Sequence, residues 1–286
     1  MPLDGAAPTA LEGPAPPALQ RARGRAEVAF RAGPEGRTRL ERLFQEGQAK
    51  IRLPAVHGGP PVAVLINTAG GVTGGDRLAY AATWGAGARA TVTAQAAERI
   101  YRSTGEAGHI DVALTVGPGA EAEWLPQETI LFDRGRIRRR LEVDLAADAS
   151  LLMVETVVFG RGAMGERVRG GEIVDHWRIR RDGRLLFADS LRVTGDSVSV
   201  LAGAATGAGA TALSTVVLVA PDAAGRLDAV REVLQAGPGA VESGASALDR
   251  LLVIRFLSLS AQALRAELVR VLEALRGRPL PRVWSC

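Results

Sequence analysis

The chain has 286 residues, 35 basic and 31 acidic side chains, and a formal net charge of +4. Hydrophobic residues make up 47% and charged residues 23%, enough apolar material for a core, which excludes disorder throughout. The single cysteine, Cys286, excludes an intrachain disulfide and a cysteine-based zinc site, and suits a reducing, cytoplasmic setting.

Residues 1–22 are rich in Pro and Ala without periodicity and read as a flexible tail, leaving 23–286 as a single domain. The N-terminus carries Asp4 and Glu12 and lacks the apolar stretch of a signal peptide. No apolar run approaches the roughly 18 residues of a membrane span, so no membrane partner is expected. From about residue 25 to 220, strand follows strand. Ala26–Phe30 alternates, Val62–Ile66 is a short apolar run, and Arg89–Ala94 mixes small and β-branched residues. Ile110–Val116 alternates cleanly and stops at Gly117-Pro118-Gly119. The densest basic run, Arg136-Ile137-Arg138-Arg139-Arg140, is followed at once by Glu142 and Asp144. A pI near 10.1 suggests nucleic acid, but it reflects arginine usage (Lys50 is the one lysine), and aromatics at 4% leave few stacking platforms. Nucleic acid is therefore not expected as a partner. Leu151–Phe159 reads as a longer apolar strand, and Ile173–Arg181 and Leu185–Val193 flank the hairpin signal Asp182-Gly183. Leu227, Val230 and Leu234 sit at helical spacing, with Gly237-Pro238 as the stop. Leu251–Leu257 is one more strand. A second helix follows the N-cap candidate Ser260, carries the stripe Leu264, Leu268, Val271, Leu272 and Leu275, and ends at Gly277 and Pro279.

The motifs exclude more than they assign. Asn67–Leu78 is glycine-rich, yet Asp76 stands where a P-loop needs lysine, and no G-x-G-x-x-G opens a helix. It reads as a tight turn between strands. His57, His109 and His176 are scattered with no metal-ligand spacing. There is no G-x-S-x-G elbow. The carboxylates say more. Glu155 shares a strand face with Leu151, Met153, Val157 and Phe159, and Asp189 with Leu185, Phe187, Leu191 and Val193. Glu128 falls in line with Trp124, Ile130 and Phe132, with Pro126 interrupting. A carboxylate on an apolar face is paired, protonated or wet. One reading is an ion pair with one of the many arginines, Arg161 or Arg192 for instance; the other is a wet, acid-lined interior that holds a divalent cation loosely.

Five ordered segments between about 65 and 284 resemble the UreD (UreH) family of urease accessory proteins. They are Leu65–Leu78, Thr91–Arg102, Glu123–Phe132, Phe159–Glu166 and Pro281–Trp284, with Ala94 and Glu98 departing from the family's usual residues. The resemblance implies no enzyme. It implies an elongated, mainly β, β-helix-like stack of strands with two helices in the C-terminal third. It also implies a scaffold that binds apo-urease and recruits UreF and, through it, the GTPase UreG. No cofactor is held tightly; Ni²⁺ is cargo in transit through an internal path. Asp76, Glu155 and Asp189 are the candidate lining residues, with Glu128 and Glu166 as weaker ones. Two other classes stay open from the residues alone: a β-rich hydrolase using paired carboxylates, and a binding module using Arg136–Arg140 or the C-terminal stripe.

Overall fold

The computed structural model describes residues 20–285. Most of the expected tail, residues 1–19, and Cys286 lie outside the described residues. The strands in chain order are β1 (Arg23–Ala32), β2 (Thr38–Gly47), β3 (Ala49–Arg52), β4 (Val62–Asn67), β5 (Arg77–Trp84), β6 (Arg89–Ala94), β7 (Glu98–Ile100), β8 (Gly108–Val116), β9 (Glu121–Leu125), β10 (Thr129–Leu131), β11 (Arg136–Leu145), β12 (Ser150–Phe159), β13 (Glu172–Arg181) and β14 (Arg184–Thr194). A short helix α1 (Ser197–Leu201) precedes β15 (Ala212–Val219). Helix α2 (Leu227–Gln235), β16 (Glu242–Leu248), β17 (Leu251–Ser258) and α3 (Ala261–Arg276) complete the chain.

The strands form two sheets. The front sheet has the order β14-β13-β11-β8-β5-β1-β2; the middle sheet runs β16-β17-β15-β12-β9-β6-β4-β3. Strands β5, β8, β11 and β13 are parallel, as are β4, β6, β9 and β12. The chain thus passes from one sheet to the other and back in each coil, building a β-solenoid of about 4 turns. At one corner Ile100, Leu131 and Phe159 stack in parallel register, and Val72 bridges to Ile100. This apolar column closes that side of the coils.

Alternation explains the layering. In β12, Leu151, Met153, Val157 and Phe159 face the core between the sheets. Leu152, Val154 and Val158 face a second core under α2 and α3. A strand buried on both faces reads as a continuous apolar run, which is what Leu151–Phe159 is. The β13–β14 hairpin turns at Asp182 and Gly183, both with positive φ (48° and 72°), the geometry that Asp-Gly accommodates. Ser260 caps α3 by accepting the Ala263 N–H at 3.2 Å. Beyond α3, Trp284 is buried, and its indole N–H donates to Thr93 Oγ1 and the Leu125 carbonyl, both at 3.2 Å. Arg265 lies over that ring at 4.9 Å, so the segment after α3 is clasped onto β6 and β9.

Two readings from the sequence are corrected here. Strand β9 ends at Leu125, so Glu128 lies in the connection to β10 and not on the face of Trp124; Pro126 ends the pairing. In β14, the pairing shifts between Ile179 and Arg180, which sets Leu186 unpaired and turns Leu185 out to solvent at 58% exposure. Asp189 therefore shares its face with Phe187, Leu191 and Val193 but not with Leu185.

Candidate functional site

Between the sheets the apolar core is interrupted by charge. A cavity of about 270 Å³ opens near Asn67 and Gly70 and reaches Tyr80, Glu98, Arg139 and Glu155. Each comes from a different element. Strand β7 supplies Glu98, whose Oε1 accepts from Asn67 Nδ2 at 3.0 Å. Strand β11 supplies Arg139, inward with Ile137 and Leu141, and 7% exposed. Strand β12 supplies Glu155, which accepts from the Trp124 indole N–H at 2.8 Å and from Arg139. Directly across from Arg139 in the ladder is Asp175 of β13, its Oδ2 at 3.7 Å from Arg139 Nη1. The same guanidinium donates to Thr129 Oγ1 at 2.9 Å. Asp175 Oδ1 is buried and meets no hydrogen-bond donor among the described residues.

Three carboxylates thus surround one buried guanidinium beside the cavity. Burial pushes the Glu98 carboxyl up to about 7, against the pull of Asn67 and Arg139. Burial also raises Glu155, and the neighbouring Asp175 charge adds to it. Burial works against the Arg139 cation, but Asp175 and Glu155 outweigh it and hold the proton on. Tyr80 is raised by burial and by Glu98. The cluster has more negative than positive charge when fully ionised, and the raised Glu98 and Glu155 carboxyls relieve the excess by holding a proton. The guanidinium sits among the carboxylates, and among the described residues no three His, Cys, Asp or Glu side chains are grouped to hold a metal ion.

Of the expected residues, Glu155 and Asp189 both face this layer. Glu155 pairs in register with Thr215, and Thr215 with Arg255. Arg255 reaches across to Asp189 at 2.9 Å, joining the middle sheet to the front one. The other three stand elsewhere. Asp76 is buried but spends both oxygens on backbone N–H groups, Ala22 at 2.8 Å and Thr73 at 2.9 Å, and so shapes the glycine-rich turn. Glu128 pairs with Arg265 of α3 at 3.0 Å. Glu166 is held by the Arg161 side chain and backbone N–H, and the Arg161 side-chain hydrogen bonds, first among the causes, keep its carboxyl below the usual range despite partial burial. The partner of Glu155 is Arg139 and that of Asp189 is Arg255, so both carboxylates are ion-paired with arginines, though not with Arg161 or Arg192. Three members of the cluster, Glu98, Arg139 and Asp175, escape a reading centred on acidic residues in apolar runs. The signal for two was present: Arg139 alternates with Ile137 and Leu141, and Asp175 with Ile173 and Trp177.

A parallel β-solenoid backed by helices, with a charged layer between its sheets, defines a structural class of coil-built scaffold. The UreD urease accessory protein family matches residues 22–285. Similar proteins include the urease accessory protein UreD of Chelativorans sp. (strain BNC1), 47% identical over 97% of this chain and 99% of its own. Those of Methylobacterium sp. (strain 4-46) and Rhizobium rhizogenes are each 47% identical, over 95% and 93% of this chain and 98% and 96% of theirs. The chain belongs to the UreD family of urease accessory proteins, and this membership supports a role in urease maturation.

Proposed function

We propose that this chain is a non-catalytic scaffold of urease maturation. It binds nickel-free urease, recruits UreF and, through UreF, the GTPase UreG, and passes Ni²⁺ along its interior. The observation that supports the nickel step is the pair of carboxylates, Glu98 and Glu155, that line an open cavity between the sheets. A hard or borderline divalent ion suits such oxygen donors, and dispersed carboxylates release it again. Glu155 and Asp189 mark two points of this path. Asp76, Glu128 and Glu166 keep a place as candidates only where the ion displaces their present backbone or arginine partners.

The test is reconstitution in a urease-negative host. The cognate urease subunits are expressed with UreF, UreG and the nickel-binding accessory UreE, with and without this chain, at limiting nickel. Urea hydrolysis and bound nickel are then measured. Activity that depends on the chain supports the scaffold; full activity without it overturns it. Glu155→Gln with Asp189→Asn is expected to lower activation severalfold while co-purification with the partners persists. Unchanged activation at limiting nickel would remove those two residues from the path.

A further inference from the structure

The front sheet turns its other side to solvent, and there the charge balance reverses. Register places Arg138 of β11, Val174 of β13 and Arg192 of β14 in one outward row. Two residues further along, Arg140 and His176 stand side by side, and after them Glu142 and Arg178. A shallow groove of about 530 Å³ runs over these rows. The glutamates of this face, Glu172 in the groove and Glu142 beside it, are oversubscribed. Glu142 serves Arg140 at 3.1 Å, Arg178 at 3.8 Å and Arg180 at 2.6 Å. Glu172 serves Arg138 at 3.0 Å and Arg136 at 3.8 Å. Five arginines share two glutamates, and Arg192 meets no carboxylate among the described residues. Each guanidinium carries five N–H donors in a planar fork, so most of the donors on this face point at water.

We infer that this outer face of the front sheet is a docking surface for an acidic segment of a protein partner. The spacing selects the occupant. Arg138 and Arg192 are two strands apart, about 10 Å, too wide for one small anion to bridge and suited to successive carboxylates on a peptide. The groove offers no Phe, Tyr or Trp on which bases stack. Arg139 also borders the groove, but its side chain turns to the other side of β11, between the sheets.

The test uses the full-length chain and two fluorescein-labelled probes, a peptide alternating Glu and Ala and a single-stranded oligonucleotide of equal net charge. Anisotropy titrations run at about 50 and about 300 mM NaCl, since screening separates exposed charge contacts from others. The peptide is expected to bind, more weakly at the higher salt, and Arg138→Glu with Arg192→Glu is expected to weaken it about tenfold or more. Arg37→Glu with Arg39→Glu, at the far edge of the same sheet, is expected to change it less than about twofold. Absence of peptide binding, or equal loss in both double variants, overturns the assignment. Tighter binding of the oligonucleotide also overturns it and gives the face to nucleic acid. Melting curves verify folding, and if the reversal variant unfolds, Arg138→Gln with Arg192→Gln replaces it under the same criteria.

Discussion

Arg139 is the residue on which the interior depends. Removing it leaves the buried carboxylates Glu155 and Asp175 without their shared cation. Arg139→Met is expected to cost about 3–5 kcal/mol in urea unfolding at pH 7, the scale of a broken buried ion pair. The loss shrinks at acid pH, where the stranded carboxylates take protons. Glu98 carries a pH dependence of its own. Its folded pKa, about 7, lies above its ordinary value of 4.5, so the folded protein holds this proton more tightly than the unfolded chain. The stability it contributes is present below pH 4.5 and is lost as pH rises through 7. Glu98→Gln keeps an oxygen for Asn67 and removes the charge. The variant is expected to be more stable than the parent by about 1–3 kcal/mol at pH 8, with the gap closing towards pH 4.5. A variant that melts like the parent at both ends of this range would contradict the burial argument.

Elements differ in how openly the sequence declares them. Strand β8 alternates buried and exposed residues along its length, and β12 is apolar on both faces; each pattern names its layer. The hairpin and both long helices were legible for local reasons, turn chemistry and caps. Ser260→Ala is expected to lower stability by about 1 kcal/mol, read as a shift in the denaturation midpoint. By contrast β2 lies at an edge with both faces largely exposed, so it carries no alternation to read. Strands β7 and β10 are three residues each and exist because neighbouring coils hold them in register. The glycine-rich turn before β5 was legible as a turn but not as a contact. A Cβ on Gly74 would run into Ser103 Oγ and the backbone carbonyl of Glu106. Gly74→Ala is expected to destabilise by about 1–3 kcal/mol, because the carbonyl has little freedom to retreat.

At the scale of the molecule, parallel coils explain why the site was only half visible. Alternation assigns a side chain to a face, and on that basis Glu155 and Asp189 were placed correctly in the layer between the sheets. It does not say which coil lies beside which. The meeting of Glu98, Arg139, Glu155 and Asp175 needs residues from four strands to come into register, and that information resides in the pairing of β7, β11, β12 and β13. The same stacking gives the solenoid two chemically opposed sides of one strand. Residues 136, 138 and 140 of β11 are arginines turned outward, and 139 is the arginine turned in. Family membership supplied what neither alternation nor register contains, the link to urease.

The clasp at Trp284 has a kinetic consequence. It joins positions 191 and 159 residues apart in sequence, on top of a sheet whose central strands β4, β6, β9 and β12 pair only through crossovers. Loop closure over such distances is costly before any contact repays it, and chains of this topology fold slowly. During that interval the edges of the uncovered strands remain free to pair with other chains. Refolding from urea is therefore expected to show a slow final phase in indole fluorescence, and Trp284→Phe should remove much of its amplitude. Yield should fall steeply with protein concentration during that phase, which makes dilution, more than temperature, the variable that decides how much native protein is recovered.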